Sequence, residues 1–308
     1  MNERMKITAT KRTTYSGHKG PIYTIQPGIK HDEIISGSSD LMIGTWSLTT
    51  GRESDFSAQM PTHIIAITTI PEHGLIVAGT SGGTLHFLNP ENAIEVKAEK
   101  YFDAQVFDLS YSPKHKLLFA SSGDGRLIVS DGISLMKLKT LQLCNEKVRS
   151  IAIHPNEDSV AIASSDGRIR VFSLPLMKET HNFHAHNLAA NTVAWNPNGK
   201  VLLSGGRDAH LNAWDAQDDF KQINSIPAHN YAIYSLAFSP DGQYFATGSR
   251  DKTVKIWKSE NQELLLRINN EKQQGHVNSV NKVLWTTKGL ISAGDDRAIF
   301  VWEIATTE

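Results

Sequence analysis

A short apolar couplet recurs along the chain: one apolar residue, two intervening positions, then a second. It stands at Ile22/Ile25, Ile64/Ile67, Val106/Leu109, Val148/Ile151, Ala190/Val193, Ile233/Leu236 and Val280/Val283. The first four steps are each 42 residues, and the last two are 43 and 47. A second landmark, Asp40, Gly82, Asp124, Asp166, Asp208, Asp251 and Asp296, is spaced 42, 42, 42, 42, 43 and 45. Six residues after each stand Trp46, Leu88, Ser130, Phe172, Trp214, Trp257 and Trp302. Two landmarks in step over seven copies mark an internal repeat, and the repeat sets the architecture before any motif is weighed.

Inside each unit the pattern has period two, broken by turns. Asp124-Gly125, Asp166-Gly167, Asn198-Gly199 and Asp241-Gly242 are hairpin signals. Pro27, Pro71, Pro113, Pro155, Pro197 and Pro240 follow the first strand, where a missing N–H costs no ladder bond. The sixth unit predicts strands over residues 233–238, 244–248, 253–257 and 263–268. Four strands in about 42 residues match one blade of a propeller. Helical solenoids of similar period would need a 3.6-residue pattern, which is missing here.

The runs Gly17-His18, Ala228-His229 and Gly275-His276, with Val254-Lys255-Ile256-Trp257 and Phe300-Val301-Trp302, resemble WD40 repeats over roughly residues 5–304. Blades one, five, six and seven carry the pattern; blades two, three and four are degenerate and follow by register. The resemblance implies an all-β, seven-bladed WD40 propeller of four-stranded antiparallel blades, one domain over residues 1–308. The blades are expected at residues 17–59, 60–101, 102–143, 144–184, 185–227, 228–274 and 275–304, with residues 5–12 closing the ring as the outer strand of blade seven. Closure would also remove a free sheet edge.

The resemblance further implies a polar tetrad in four blades: His18, Ser36, Asp40 and Trp46; His186, Ser204, Asp208 and Trp214; His229, Thr247, Asp251 and Trp257; His276, Ser292, Asp296 and Trp302. The expected chain runs from indole to hydroxyl to imidazole to carboxylate, so that each buried polar group has a partner. In blades two to four the hydroxyl position holds Ala78, Ala120 and Ile162. These blades are expected to rely on apolar packing, with Asp124 and Asp166 serving their turns.

Composition narrows the function. The 308 residues carry 31 Lys plus Arg against 32 Asp plus Glu, a net charge of −1, which argues against a wholesale nucleic-acid or anionic-membrane binder. The single cysteine, Cys144, excludes an intrachain disulfide and reads as an inert thiol. The first residues show no apolar signal region, and no apolar run reaches the roughly 20 residues that span a bilayer. A cytoplasmic, stand-alone protein, monomeric outside its complex, is the expectation.

Serine, histidine and aspartate in hydrogen-bond order could suggest a hydrolase. The same set recurs four times under a tryptophan, however, and no Gly-x-Ser-x-Gly elbow is present, so a structural role is preferred and no catalytic residue is assigned. His181, His184 and His186 lack a further ligand for a metal, and Gly79, Gly82 and Gly83 lack the Lys-Ser/Thr of a phosphate loop. No metal or cofactor is expected.

The resemblance places partner binding on the face where the first strand of each blade begins, and the residue after the couplet's first member points onto it. These are Tyr23, Ile65, Phe107, Arg149, Asn191, Tyr234 and Asn281. Lys147, Arg149, Arg207 and Arg250 add a positive arc over blades four to six, opposed mainly by Asp295. Aromatic and arginine side chains dominate binding hot spots, and arginine suits carboxylate or phosphate. A non-catalytic scaffold that binds an apolar and acidic peptide or protein segment is the leading expectation. The alternatives are a nucleic-acid contact through the arginine arc, or an enzyme at the channel mouth using groups such as His63 and Asp295.

Overall fold

In every repeat the apolar couplet lies on the innermost strand of a four-stranded antiparallel sheet. A computed structural model of the protein describes residues 6–307. Blade one runs from the centre outward as Ile22–Pro27, Glu33–Ser38, Met42–Ser47 and Glu53–Gln59. The inner strands of successive blades touch, and the inner strand of blade seven touches that of blade one, so the seven sheets form a closed propeller. Inner strands covered on both faces read as continuous apolar runs. Leu75–Thr80 and Leu117–Ser122 are buried throughout, whereas the outermost Glu53–Gln59 alternates exposed and half-buried.

The blades meet at small residues on the second strand. Gly37 packs against Ile64 of the next blade, Gly79 against Val106, Gly205 against Ile233 and Gly248 against Val280. A methyl group at these glycines would collide with the couplet residue that fills the seam. The couplet is thus buried from two sides, and Ile22, Ile64, Val106, Val148, Ala190, Ile233 and Val280 are fully buried.

The ring closes through a strand from the other end of the chain. Lys6–Ser16 pairs antiparallel with Ala298–Thr307 as the outermost strand of blade seven. The expected closing strand over residues 5–12 is corrected to one ending at Ser16; Met5 lies outside the described residues. The β-branched and aromatic Thr13-Thr14-Tyr15 sustains the strand beyond residue 12. Tyr15 is buried, donates its hydroxyl to the Ser47 carbonyl at 2.7 Å, and packs on Trp46 with ring centroids 5.3 Å apart. The closing strand therefore grips blade one as well as blade seven.

Four tetrads have unbroken geometry. In blade one Trp46 Nε1 donates to Ser36 Oγ at 2.7 Å, Ser36 Oγ lies 2.7 Å from His18 Nε2, and His18 Nδ1 lies 3.0 Å from Asp40. The hydroxyl–imidazole and imidazole–carboxylate distances are 2.9 and 3.0 Å in blade five, 2.7 and 2.8 Å in blade six, and 2.8 and 2.9 Å in blade seven. Trp214, Trp257 and Trp302 cap the last three at 3.0, 2.9 and 2.9 Å. Burial pushes the carboxyls of Asp40, Asp208, Asp251 and Asp296 up, but hydrogen bonds from backbone N–H groups and the imidazole outweigh it and hold them below the usual range.

Apolar packing alone does not fill blades two to four, which corrects the sequence expectation. In blade four the buried Arg170 reaches Asp166 Oδ2 at 2.6 Å and Ser164 Oγ at 2.7 Å. In blade three Arg126 Nε donates to Asp124 at 3.0 Å, and Ser122 donates to the same carboxylate. In blade two the buried His86 pairs through Nδ1 with Glu95 at 2.6 Å. Polar pairs, guanidinium–carboxylate in blades three and four and imidazole–carboxylate in blade two, thus accompany the loss of the tetrad.

Candidate functional site: the mouth of the channel

Each inner strand breaks register at the same place, between the first couplet residue and the second position after it. The shifts fall at Ile22/Thr24, Ile64/Ala66, Val106/Asp108, Val148/Ser150, Ala190/Thr192, Ile233/Ser235 and Val280/Lys282. The residue skipped by the ladder is Tyr23, Ile65, Phe107, Arg149, Asn191, Tyr234 or Asn281. A bulge bends the strand and re-aims the extra side chain. Repeated seven times, it turns one side chain per blade toward the channel mouth.

All seven of these residues line one open cavity of about 970 Å³, together with His63, Arg250 and Asp295. Lys147 and Arg207 are not in its wall, but each acts on a residue that is. Lys147 Nζ lies 5.6 Å from the Phe107 ring centroid, and the Arg149 guanidinium lies 5.1 Å from the same centroid. Arg207 is close enough to disfavour the charge on Arg149. Arg250 stacks at 5.7 Å over Tyr231, an exposed mouth residue.

Two bulge residues are committed to the ring itself. Asn191 Nδ2 donates to the Ile233 carbonyl at 3.0 Å, and Asn281 Nδ2 to the Ile22 carbonyl at 2.9 Å and Asp295 Oδ1 at 2.7 Å. The amide hydrogens of Asn281 are thereby spent on the seam between blades seven and one.

Sequence reasoning missed the ring of side chains just below. The second position after the couplet's first member holds Thr24, Ala66, Asp108, Ser150, Thr192, Ser235 and Lys282. A polar residue in six of seven copies, one step from a buried couplet, was the available signal. Asp108 Oδ2 accepts from Ile151 N at 2.8 Å, Ser150 Oγ from Val193 N at 3.4 Å, and Ser235 Oγ from Val283 N at 3.1 Å, each across a seam. Asp108, Ser150, Thr192 and Lys282 also line a second cavity of about 310 Å³ on the far side of this waist.

The charge of the mouth is lopsided. Lys147, Arg149, Arg207, Arg250, Lys252 and Lys282 have no ion pair among the described residues. Burial, with Arg207 beside it, lowers the pKa of Arg149, so its positive charge is poorly compensated. Burial raises the Asp108 carboxyl, opposed by Lys282 and by hydrogen bonds from Ile151 and Leu109. Of the anions, Asp108 and Asp295 both hold hydrogen bonds within the ring.

The tetrad hydroxyls cannot act as nucleophiles toward a solvent-borne substrate. Ser36, Ser204, Thr247 and Ser292 are each 0% exposed beneath their tryptophans. His181 Nε2 pairs with Asp219 at 3.1 Å, while His186 is held in its tetrad. Among the described residues no group of three or more His, Cys, Asp or Glu could hold a metal. Burial pushes the Cys144 thiol above its usual pKa. No helix among the described residues is long and apolar enough to cross a membrane.

Comparison with known families agrees with this architecture. The family model for the first β-propeller of WD repeat-containing protein 75 matches residues 133–252. That for the WD40 domain of anaphase-promoting complex subunit 4 matches residues 218–288, and the WD domain, G-beta repeat, matches residues 98–131. The chain is a seven-bladed WD40-repeat β-propeller. The G-beta repeat match falls on blade three, where the WD40 tryptophan is replaced by Ser130, so the repeat survives there in its strands and its Asp124-Gly125 turn. No curated protein matches the chain. A WD40 propeller of this kind is a scaffold with an interaction surface.

Proposed function

We propose that this WD40 propeller is a non-catalytic scaffold that holds a peptide or protein segment carrying apolar and acidic groups at the mouth of its channel. The observation that carries the reading is the bulge ring. It turns Tyr23, Ile65, Phe107, Arg149 and Tyr234 toward a single cavity, whose cations Arg149, Arg250 and Lys252 have no ion pair among the described residues. Aromatic and guanidinium groups gathered in one concave, half-buried place are the composition of a binding hot spot. An acidic partner would supply the missing charge, and its apolar groups would cover the tyrosines and Ile65.

The test compares proteins captured from lysate by the parent and by a Tyr23→Ala/Arg149→Glu/Tyr234→Ala variant, after circular dichroism shows that the variant is folded. Loss of a defined set of partners from the variant is the expected result. Identical partner sets would overturn the reading and direct attention to the blade edges and the opposite face. Nuclease treatment of the lysate separates protein partners from those bridged by nucleic acid.

A further inference from the structure

The mouth is not uniformly basic, and its densest unneutralised charge sits in one corner. Phe107 of blade three lies under two cations from blade four, Lys147 at 5.6 Å and Arg149 at 5.1 Å. Arg207 of blade five adds a third positive charge beside Arg149. The Nε of Arg149 donates to Ser165 Oγ at 2.8 Å, which orients the guanidinium and leaves its two terminal nitrogens without a hydrogen-bond partner among the described residues. The mouth over blades seven, one and two is different in kind: Tyr23 and Ile65 present apolar surface, and Asp295 is tied to Asn281.

A half-buried guanidinium that feels a second positive charge is costly unless an anion joins them. Blades three and four place two nearby carboxylates, Asp124 and Asp166, but these are spent on Arg126 and Arg170. Two cations over one ring, with the charge of Arg207 acting on one of them, exceed what a single carboxylate would neutralise. A phosphate monoester carries about −1.5 to −2 charges near neutral pH, and its oxygens match a guanidinium fork.

We propose that the corner framed by Phe107, Lys147, Arg149 and Arg207 is an anion subsite that takes the phosphate monoester of a phosphorylated side chain in preference to a carboxylate. This rests on the docking reading above and specifies it: the phosphorylated group sits over blades three to five, and the apolar groups of the same segment lie toward Tyr23 and Ile65. A protein segment is favoured over a nucleic-acid backbone because one corner offers one anion site, flanked by apolar surface, rather than a continuous basic track.

The experiment titrates the full chain with phenyl phosphate and with benzoate, two probes that share a ring and differ in charge, by calorimetry and by NMR of the arginine Nε–H signals. Phenyl phosphate is expected to bind roughly tenfold more tightly than benzoate and to shift the Arg149 signal. Arg149→Gln, and separately the exposed Arg207→Gln, should each weaken phenyl phosphate several-fold while changing benzoate less. Equal affinity for the two probes, or variants that bind phenyl phosphate as the parent does, would overturn the subsite. So would a single-stranded oligonucleotide that competes as well as phenyl phosphate at equal phosphate concentration. If the subsite fails while the triple variant still loses its captured proteins, the docking surface stands and only the anion assignment is lost.

Discussion

The side-chain amide of Asn281 donates to the backbone oxygen of Ile22 at 2.9 Å, and so joins the last inner strand to the first. Asn191 makes the same bond two seams earlier in the ring, to Ile233 at 3.0 Å. Asparagine fits this bulge position because its short arm reaches a carbonyl that the bulge leaves outside the ladder. Asn281→Ala should orphan the Ile22 carbonyl and free Asp295. The expected cost is about 1–2 kcal/mol, seen as a lower urea midpoint with an unchanged slope. A midpoint equal to the parent's would show that the closing strand alone holds the seam.

Asp108 makes the seam contact that serine makes at Ser150 and Ser235, but it makes it with a buried carboxylate. Burial raises its pKa in the folded protein. A raised folded pKa means the group's stabilising contribution is fully present below the unfolded value of about 3.9 and is lost as pH rises through the folded value. Asp108→Ser should therefore be more stable than the parent at pH 7, with the gain shrinking as pH falls toward 4. The tetrad carboxylates run the opposite way, but they are shared by both proteins and cancel. Thermal midpoints of the pair at pH 7 and pH 4.5 decide it; a less stable variant at pH 7 would show that the charge is stabilising in place.

The parts of this architecture that show in the sequence are those that require one residue type at one register position. The couplet and the landmark position in step with it locate every blade, the tryptophan six residues later marks blades one, five, six and seven, and the resemblance singles out the residue after Ile22, Ile64 or Val106. What does not show is pairing between side chains whose spacing is set by another repeat's backbone. The commitment of Asn281 to Ile22 spans 259 residues, and nothing in its own blade announces it. Arg170, which carries no motif of its own, pairs with Asp166 and Ser164 in a blade whose tetrad hydroxyl position is Ile162. Residues 13–16 extend the closing strand because Tyr15 finds a pocket on blade one, a contact with no local signal.

The residue after each landmark is left-handed in all seven blades, yet only blades two, three and four spend a glycine there. Gly83, Gly125 and Gly167 have φ of 81°, 83° and 79°, and Leu41, Ala209, Lys252 and Arg297 have φ of 73°, 65°, 71° and 66°. The landmark carboxylate accepts from the backbone two residues on with or without a glycine between, as Asp40 does from Met42 at 3.0 Å, Asp208 from His210 at 3.1 Å and Asp166 from Arg168 at 3.1 Å. A side chain in this region costs about 1–2 kcal/mol, partly offset by the lower chain entropy of a non-glycine residue. Arg297→Gly should be neutral to stabilising, by up to about 1 kcal/mol. Gly125→Ala should be clearly destabilising, because its Cβ would collide with the Cys144 carbonyl as well as strain the backbone. Chemical denaturation of both variants checks this; a destabilised Arg297→Gly would mean the arginine side chain holds the turn.

Blade four offers the sharpest separation between a polar network and mere filling. Arg170 is 6% exposed and satisfies both Asp166 and Ser164, in a blade whose hydroxyl and tryptophan positions are Ile162 and Phe172. Arg170→Met keeps much of the volume but leaves the Asp166 carboxylate with no cation, only its backbone contact to Arg168 at 3.1 Å and the Ser164 hydroxyl. Removing one member of such a pair is expected to cost about 3 kcal/mol, because the remaining charge is left partly buried without its partner. Arg170→Met/Asp166→Asn removes the stranded charge, keeps the acceptor for Arg168 N, and should recover most of the loss. Recovery in the double variant, read from denaturation midpoints, would identify the pair as a replacement for the tetrad whose charges balance each other. If the double variant is as unstable as Arg170→Met, the stabilisation comes instead from the packing of the arginine stem between blades.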